Sequence, residues 1–110
     1  MNTYLICDNQ EPFAFEISNF LITINKVAYL LDEVKEVTNI EKRKLFKGSS
    51  YVHIKFLYKG YDFIVWEPFG DNSRYWIGPE KEELKVNISS LIETFNSYEL
   101  KIVKFFKNLF

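Results

Sequence analysis

An aromatic, alternating segment over residues 51–67 constrains the fold more than any other feature of the sequence. Lys59 and Gly60 interrupt the alternation and supply a turn, after which it resumes. Alternating aromatic and β-branched residues are typical of strands in a sheet centre. The segment therefore predicts a central hairpin. The positions are Val52, Ile54, Phe56 and Tyr58 before the turn, then Phe63 and Val65 on one face and Ile64 and Trp66 on the other.

A third strand follows this hairpin. Residues 68–73 contain Pro68, Gly70 and Asn72, which favour a loop. Residues 74–77 are strand-like and are closed by Gly78 and a proline. We predict a central antiparallel meander over residues 51–77.

Two helices are predicted on either side of the meander. Apolar residues at helical spacing between 27 and 37 indicate a helix over about 25–38, with Asn25 as its N-cap. Ser90 and Glu93 have the spacing of a capping box and predict a second helix over about 90–97.

The N-terminal part reads as strands at residues 4–7 and 13–17. The β-branched run 20–24 could pair with the second of these strands, so 18–26 is left open between strand and helix. Weak alternation over 98–106 leaves the same choice there and slightly favours a strand. Strands joined by short turns predict a single α+β domain, residues 1–110, with an antiparallel sheet and both helices packed on it.

Few residues could support catalysis or metal binding. Cys7 and His53 are the only cysteine and histidine. We interpret Cys7 as a small buried residue and His53 as a half-exposed sheet residue. One of each cannot form a structural zinc site, and no phosphate-binding glycine motif is present. We predict no catalytic residue, metal or cofactor and expect that the protein is not an enzyme. A small enzyme using both residues is the weaker alternative.

The lone cysteine indicates a reducing compartment. No secretory signal pattern is visible, and no apolar stretch approaches the ~20 residues of a membrane helix. We expect a cytoplasmic protein without a membrane partner. It would be a monomer or, through its apolar C-terminal residues, a homodimer.

Charge is grouped along the chain although the net charge is −1. Residues 42–61 hold six basic residues and no acid, while residues 62–99 hold eight acids and three basic residues. The basic 42–59 segment, which contains Tyr51 and Tyr58, could hold a nucleic-acid strand. A sequence pI of about 5.8 disfavours that reading, and nucleic-acid binding or another regulatory role is therefore the alternative.

Residues 65–79 are the most distinctive segment for recognition, because they combine two Trp, a Tyr and an Arg with acids. If the segment is only a tight turn, Arg74 would pair with Glu67 across the strands. If it is a binding loop, its side chains would contact a partner. The candidates there are Trp66, Glu67, Phe69, Asp71, Arg74 and Trp76.

In size, aromatic hairpin, acidic segments and lack of catalytic residues, the chain resembles the small immunity proteins of bacterial contact-dependent inhibition and other polymorphic toxin systems. That resemblance implies a non-enzymatic protein that binds and blocks a toxin domain, often a nuclease. A nuclease cleft is basic, and an acidic surface can occupy it. The acidic candidates outside the loop are Asp32, Glu33, Glu36, Glu80, Glu82 and Glu83.

Overall fold

One antiparallel sheet organises the part of the chain described by the computed structural model, residues 3–18, 22–43, 52–67, 74–81 and 85–109. The strand order is β1-β2-β6-β5-β4-β3. Every neighbouring pair is antiparallel. The elements are β1 (Tyr4–Asp8), β2 (Glu11–Ser18), α1 (Ile24–Asp32), β3 (Val37–Lys42), β4 (Val52–Tyr58), β5 (Tyr61–Trp66), β6 (Arg74–Pro79) and α2 (Ser89–Leu109). The predicted α+β architecture is confirmed.

The central meander is also confirmed. β4 and β5 join at Lys59 and Gly60, whose φ angles are 53° and 84°. Glycine adopts such angles without steric cost. β6 then pairs with β5 on one side and with β2 on the other.

Both helices pack on one face of the sheet, here called the inner face. Directly paired residues on neighbouring strands share a face, and Phe15, Val65 and Ile77 belong to the inner one. Buried side chains of both helices complete the same core, and the rings of Phe15 and Phe95 are 5.5 Å apart. Helical residues in this core include Val27, Leu30, Leu31, Leu91 and Phe95.

The first helix differs from its predicted bounds. Its N-cap is Thr23, whose hydroxyl accepts a hydrogen bond from the Lys26 amide at 3.2 Å, so the prediction of Asn25 is wrong. The helix ends at Asp32, and the chain turns through Val34 into β3. Val34 and Val37 are both buried, as the helical spacing required. Val37, however, is buried by pairing with Tyr58 of β4.

The second helix is much longer than predicted, because α2 continues through residues 98–106 without a strand. No Gly or Pro interrupts that stretch, and Lys, Leu and Glu favour helices. The predicted capping box is not the start, since Ser90 lies inside the helix. The Ser89 amide instead donates to the Asn87 side chain at 2.9 Å.

The two predicted N-terminal strands form a hairpin. β1 pairs with β2 across Asn9 and Gln10, both at positive φ. Thr23 and Ile24 belong to the start of α1, so a strand over residues 20–24 is wrong there. Residues 20 and 21 lie outside the described part of the chain.

Candidate functional site

The face of the sheet opposite the helices is the most distinctive surface of the molecule. Register places on it the side chains that alternate with the core residues along each strand. The core residues of both helices pack on the inner face. We call the opposite face the open face, defined by Tyr4, Glu16, Val52, Lys55, Leu57, Ile64, Trp66, Arg74 and Trp76.

Two tryptophans form the centre of the open face. Trp66 and Trp76 are paired across β5 and β6, and their rings meet edge to face with centroids 6.2 Å apart. A methyl group on Gly78 would come within 2.8 Å of the Trp76 ring and 2.6 Å of the Ala14 methyl. The absence of a side chain at Gly78 therefore lets Trp76 lie flat against the sheet. Among the described residues, the buried Trp66 Nε1 has no hydrogen-bond partner.

Arg74 forms a polar edge beside this aromatic pair. Its guanidinium lies 3.7 Å from the centre of the Tyr4 ring, and one nitrogen is 3.8 Å from Glu16 Oε1. The alternative pairing of Arg74 with Glu67 is wrong, because Glu67 follows Trp66 and lies on the other side of the strand. Stacking on Tyr4 holds the guanidinium in place while its side chain is 39 % exposed.

Glu67 belongs to a separate series of hydrogen bonds between side chains. It is 7 % exposed, and its Oε1 is 2.6 Å from His53 Nε2. Arg43 Nη2 is 2.8 Å from His53 Nδ1. Since a guanidinium only donates, Nδ1 must accept, which places the imidazole proton on Nε2 and directs it to Glu67. Each ring nitrogen therefore has a hydrogen-bond partner.

Tyr75, on β6, lies next to the hydrogen-bonded residues His53 and Glu67. Its ring meets His53 edge-on at 5.8 Å. Burial, together with the nearby Glu67 carboxylate, raises the pKa of Tyr75 above its ordinary value of 10.0. Glu67 thus contributes to the environment of the inner face and does not belong to the open face.

Cys7 and His53 do not converge. Cys7 lies on β1 and His53 on β4, four strand spacings away, or roughly 19 Å. Cys7 is exposed, so the prediction that it is buried is wrong. Within the described residues there is no group of three or more His, Cys, Asp or Glu side chains placed to hold a metal ion.

The acidic candidates lie at the opposite end of the strands from the tryptophans. Asp32 and Glu33 end α1 and are exposed. The Glu36 carbonyl accepts from the Lys59 amide, and the Glu80 amide donates to Asp62. We call this region the acidic end: Asp32, Glu33, Glu36, Asp62 and Glu80, with Lys35, Lys59 and Lys81 among them. Asp62 also belongs to the open face, because it pairs with Leu57. Phe69, Asp71, Glu82 and Glu83 lie outside the described residues.

The basic 42–59 segment is dispersed by the fold. Lys42 Nζ donates to Asn25 beside α1, and Arg43 is bound to Val52 and His53. Lys55 lies on the open face. Lys59 donates to the Asn87 carbonyl at the far end of the sheet. These four cations form no continuous track, while Lys44 and Lys47 fall outside the described ranges.

The sequence pattern did not predict the aliphatic part of the open face, namely Val52, Leu57 and Ile64. Alternation puts Val52 on the same face as Ile54, which is wrong, because the register shift between these two residues pairs Val52 with Trp66. The signal was present in β5, where Ile64 and Trp66 alternate with Phe63 and Val65 so that both faces are apolar. One apolar face fills a core, and the second is left for another contact.

Comparisons with known proteins find no match, either to a protein-family model, to a curated protein or to a solved structure. Neither described helix has the length and apolar character needed to cross a bilayer.

Proposed function

We propose that this protein is a non-enzymatic binding protein that neutralises a toxin domain, and that the open face is its binding surface. The supporting observation is the one-sided packing of the sheet. Both helices cover the inner face, while the opposite face carries the Trp66–Trp76 pair, of which Trp66 is half-buried and Trp76 is 8 % exposed, with Val52 and Ile64 beside it.

The residue types on the open face suit a protein partner. Interface energy is concentrated in Trp, Tyr and Arg side chains near the centre of a contact. Trp66, Trp76, Tyr4 and Arg74 supply those types on rigid strands. Because the strands are held by the sheet, little ordering cost is added on binding.

The charge on this face favours a protein over a nucleic acid. Lys55 and Arg74 are offset by Glu16 and by Glu41, which pairs with Lys55 in the register of β3 and β4. A polyanion needs an excess of positive charge, and this face has none among its described residues. The nucleic-acid alternative is therefore less well supported.

A toxin domain is the proposed partner because the chain resembles small immunity proteins. A cytoplasmic nuclease would present a basic cleft, and the acidic end offers carboxylates that complement it. In this proposal the open face supplies the apolar contact, and the acidic end, at the other end of the same strands, supplies a second, electrostatic one.

The test is neutralisation of a toxin domain encoded beside the gene for this chain. Co-expression of the wild-type protein should restore growth, and calorimetry should give a complex. Ile64→Arg should abolish both, because it places a charge beside the tryptophan pair. Tyr29→Arg, on the exposed side of α1, is the matched control and should protect like the wild type.

Two results would count against the proposal. One is full protection by Ile64→Arg with unchanged affinity, which would remove the open face from the contact. The other is the absence of any neighbouring toxic domain that binds the wild-type protein. Circular dichroism of each variant checks that the fold is retained.

A further inference from the structure

The two edges of the sheet differ in how they are protected. β3 has an irregular register between Thr38 and Glu41, with Asn39 at a φ of 53°. It also carries the charges of Glu41 and Lys42. Irregularities and charges are the usual devices that stop an edge strand from pairing with another chain.

β1 has less of this protection. Its pairing with β2 also shifts register between Ile6 and Cys7, but the extra residue, Phe13, lies on β2 and not on the edge strand. Residues 3–7 contain no charge and no proline. Tyr4 is 39 % and Leu5 51 % exposed, which makes them two of the five large hydrophobic residues most exposed in the described chain. No described strand lies beyond β1, so alternate backbone N–H and C=O groups point outward.

A second copy of the same strand fits this edge. An antiparallel pair about a two-fold axis is self-complementary, and the uncharged segment brings no like charges together. Antiparallel pairing also sets the Tyr4 end of one strand against the Asp8 end of the other. Arg74 lies at the first end, stacked on Tyr4 and 3.8 Å from Glu16. At the second end Asp8 is paired with Lys85 at 3.5 Å, and Glu11 is a further exposed acid. The opposite charges of Arg74 and Glu11 favour this orientation.

We infer that β1 is a self-association edge, through which two copies of the chain pair antiparallel to form a sheet continuous across the dimer. A net charge of −1 per chain gives little long-range repulsion between copies. The open faces of both copies then lie on the same side of the continuous sheet. Each copy keeps its own Trp66–Trp76 pair.

Sedimentation equilibrium over a concentration series tests this assembly. The wild-type protein should show a monomer–dimer equilibrium. Leu5→Lys should raise the dimer dissociation constant by at least about tenfold, because two ammonium groups would meet near the axis. Tyr29→Lys, at an equally exposed aromatic residue on α1, should leave it unchanged.

The orientation has its own test. Arg74→Glu should weaken the dimer, and addition of Glu11→Lys should restore part of the loss. Cys7 gives an independent readout, because antiparallel pairing brings the two copies of this exposed cysteine within roughly 15 Å. A short bismaleimide should cross-link the wild-type dimer and not the Leu5→Lys protein.

A wild-type protein that stays monomeric at millimolar concentration would overturn the inference, as would a dimer that Leu5→Lys leaves intact. If the isolated protein is monomeric but a toxin complex is lost in Leu5→Lys, the edge takes a partner strand and self-association is wrong. Ile64→Arg should still dimerise, so failure of the proposed function and failure of this inference are separable.

Discussion

His53 shows how a single residue is given its role by its neighbours. Its two ring nitrogens join β3 to β5 through Arg43 and Glu67. These hydrogen bonds link the strands at one end of the sheet. On the inner side, the Tyr75 ring packs edge-on against the His53 ring. A lone histidine on a strand is therefore explained here by hydrogen bonding within the fold.

Removal of the Glu67 acceptor should destabilise the protein. Glu67→Ala leaves the His53 Nε2–H without its partner in a largely buried position, which costs on the order of 1–3 kcal/mol. Glu67→Gln keeps an oxygen acceptor and should lose less. Urea unfolding of both variants measures the difference, and equal stability of Glu67→Ala and the wild type would contradict the assigned hydrogen bond.

The raised pKa of Tyr75 predicts a loss of stability in alkali. Burial and the Glu67 carboxylate favour the protonated phenol in the folded state, whereas an unfolded tyrosine ionises near pH 10. The contribution is therefore fully present below about pH 10 and is lost as the pH rises through the higher folded-state pKa.

Unfolding free energies measured between pH 9 and pH 11.5 test this. The slope above about pH 10 should be smaller in Tyr75→Phe than in the wild type. Tyr61→Phe, at the exposed first residue of β5, is the matched control and should keep the wild-type slope. A Tyr75→Phe slope equal to that of the wild type would remove Tyr75 as the cause.

At the scale of elements, the open face depends on the absence of side chains at Gly78. Gly78→Ala would place a methyl group against the Ala14 methyl and the Trp76 ring. Overpacking of this kind typically costs about 1–3 kcal/mol. Unfolding should show that loss, and the near-ultraviolet dichroism of the tryptophans should change as Trp76 moves. Unchanged spectra and stability would contradict the packing described for this face.

The sequence predicted the meander because aromatic and β-branched residues alternate along it with a period of two. Few structures other than paired strands fit that pattern. The prediction misplaced the end of α1 because buried residues three apart, such as Val34 and Val37, suit a helix and also suit a turn that enters a strand. The strand is formed because β4 offers a free edge with which residues 37–42 pair, and this edge is not visible in the local sequence. The length of α2 was missed because weak alternation in 98–106 was weighed above its helix-forming composition.

The site was predicted in part for a similar reason. Trp66, Trp76 and Arg74 were identified from their residue types, and register brings them together. Glu67 was grouped with them because it is adjacent in sequence, although alternation sends it to the other face. The acidic residues were treated as one surface with the loop. The predicted loop over residues 68–73, however, already implies an antiparallel return, which puts residues 66 and 80 at opposite ends of the strands.

At the scale of the whole molecule, apolar and charged contacts lie in different places. The open face is nearly neutral, whereas the acidic end carries exposed carboxylates at Asp32, Glu33, Asp62 and Glu80. Exposed charges are screened over about 8–10 Å at moderate ionic strength, while buried apolar contacts are not. The salt dependence of a partner complex therefore reports which region holds the partner.

If the open face holds a toxin domain, we expect the dissociation constant to change by less than about threefold between 50 and 300 mM NaCl. If the acidic end dominates, the constant should rise by about tenfold or more over that range. Titration calorimetry at four salt concentrations distinguishes the two. Glu33→Lys should remove most of any salt dependence, whereas Ile64→Arg should weaken the complex at every concentration. A steep dependence that survives Glu33→Lys and Asp32→Lys would place the charged contact elsewhere, because the two carboxylates that end α1 would then contribute nothing to it.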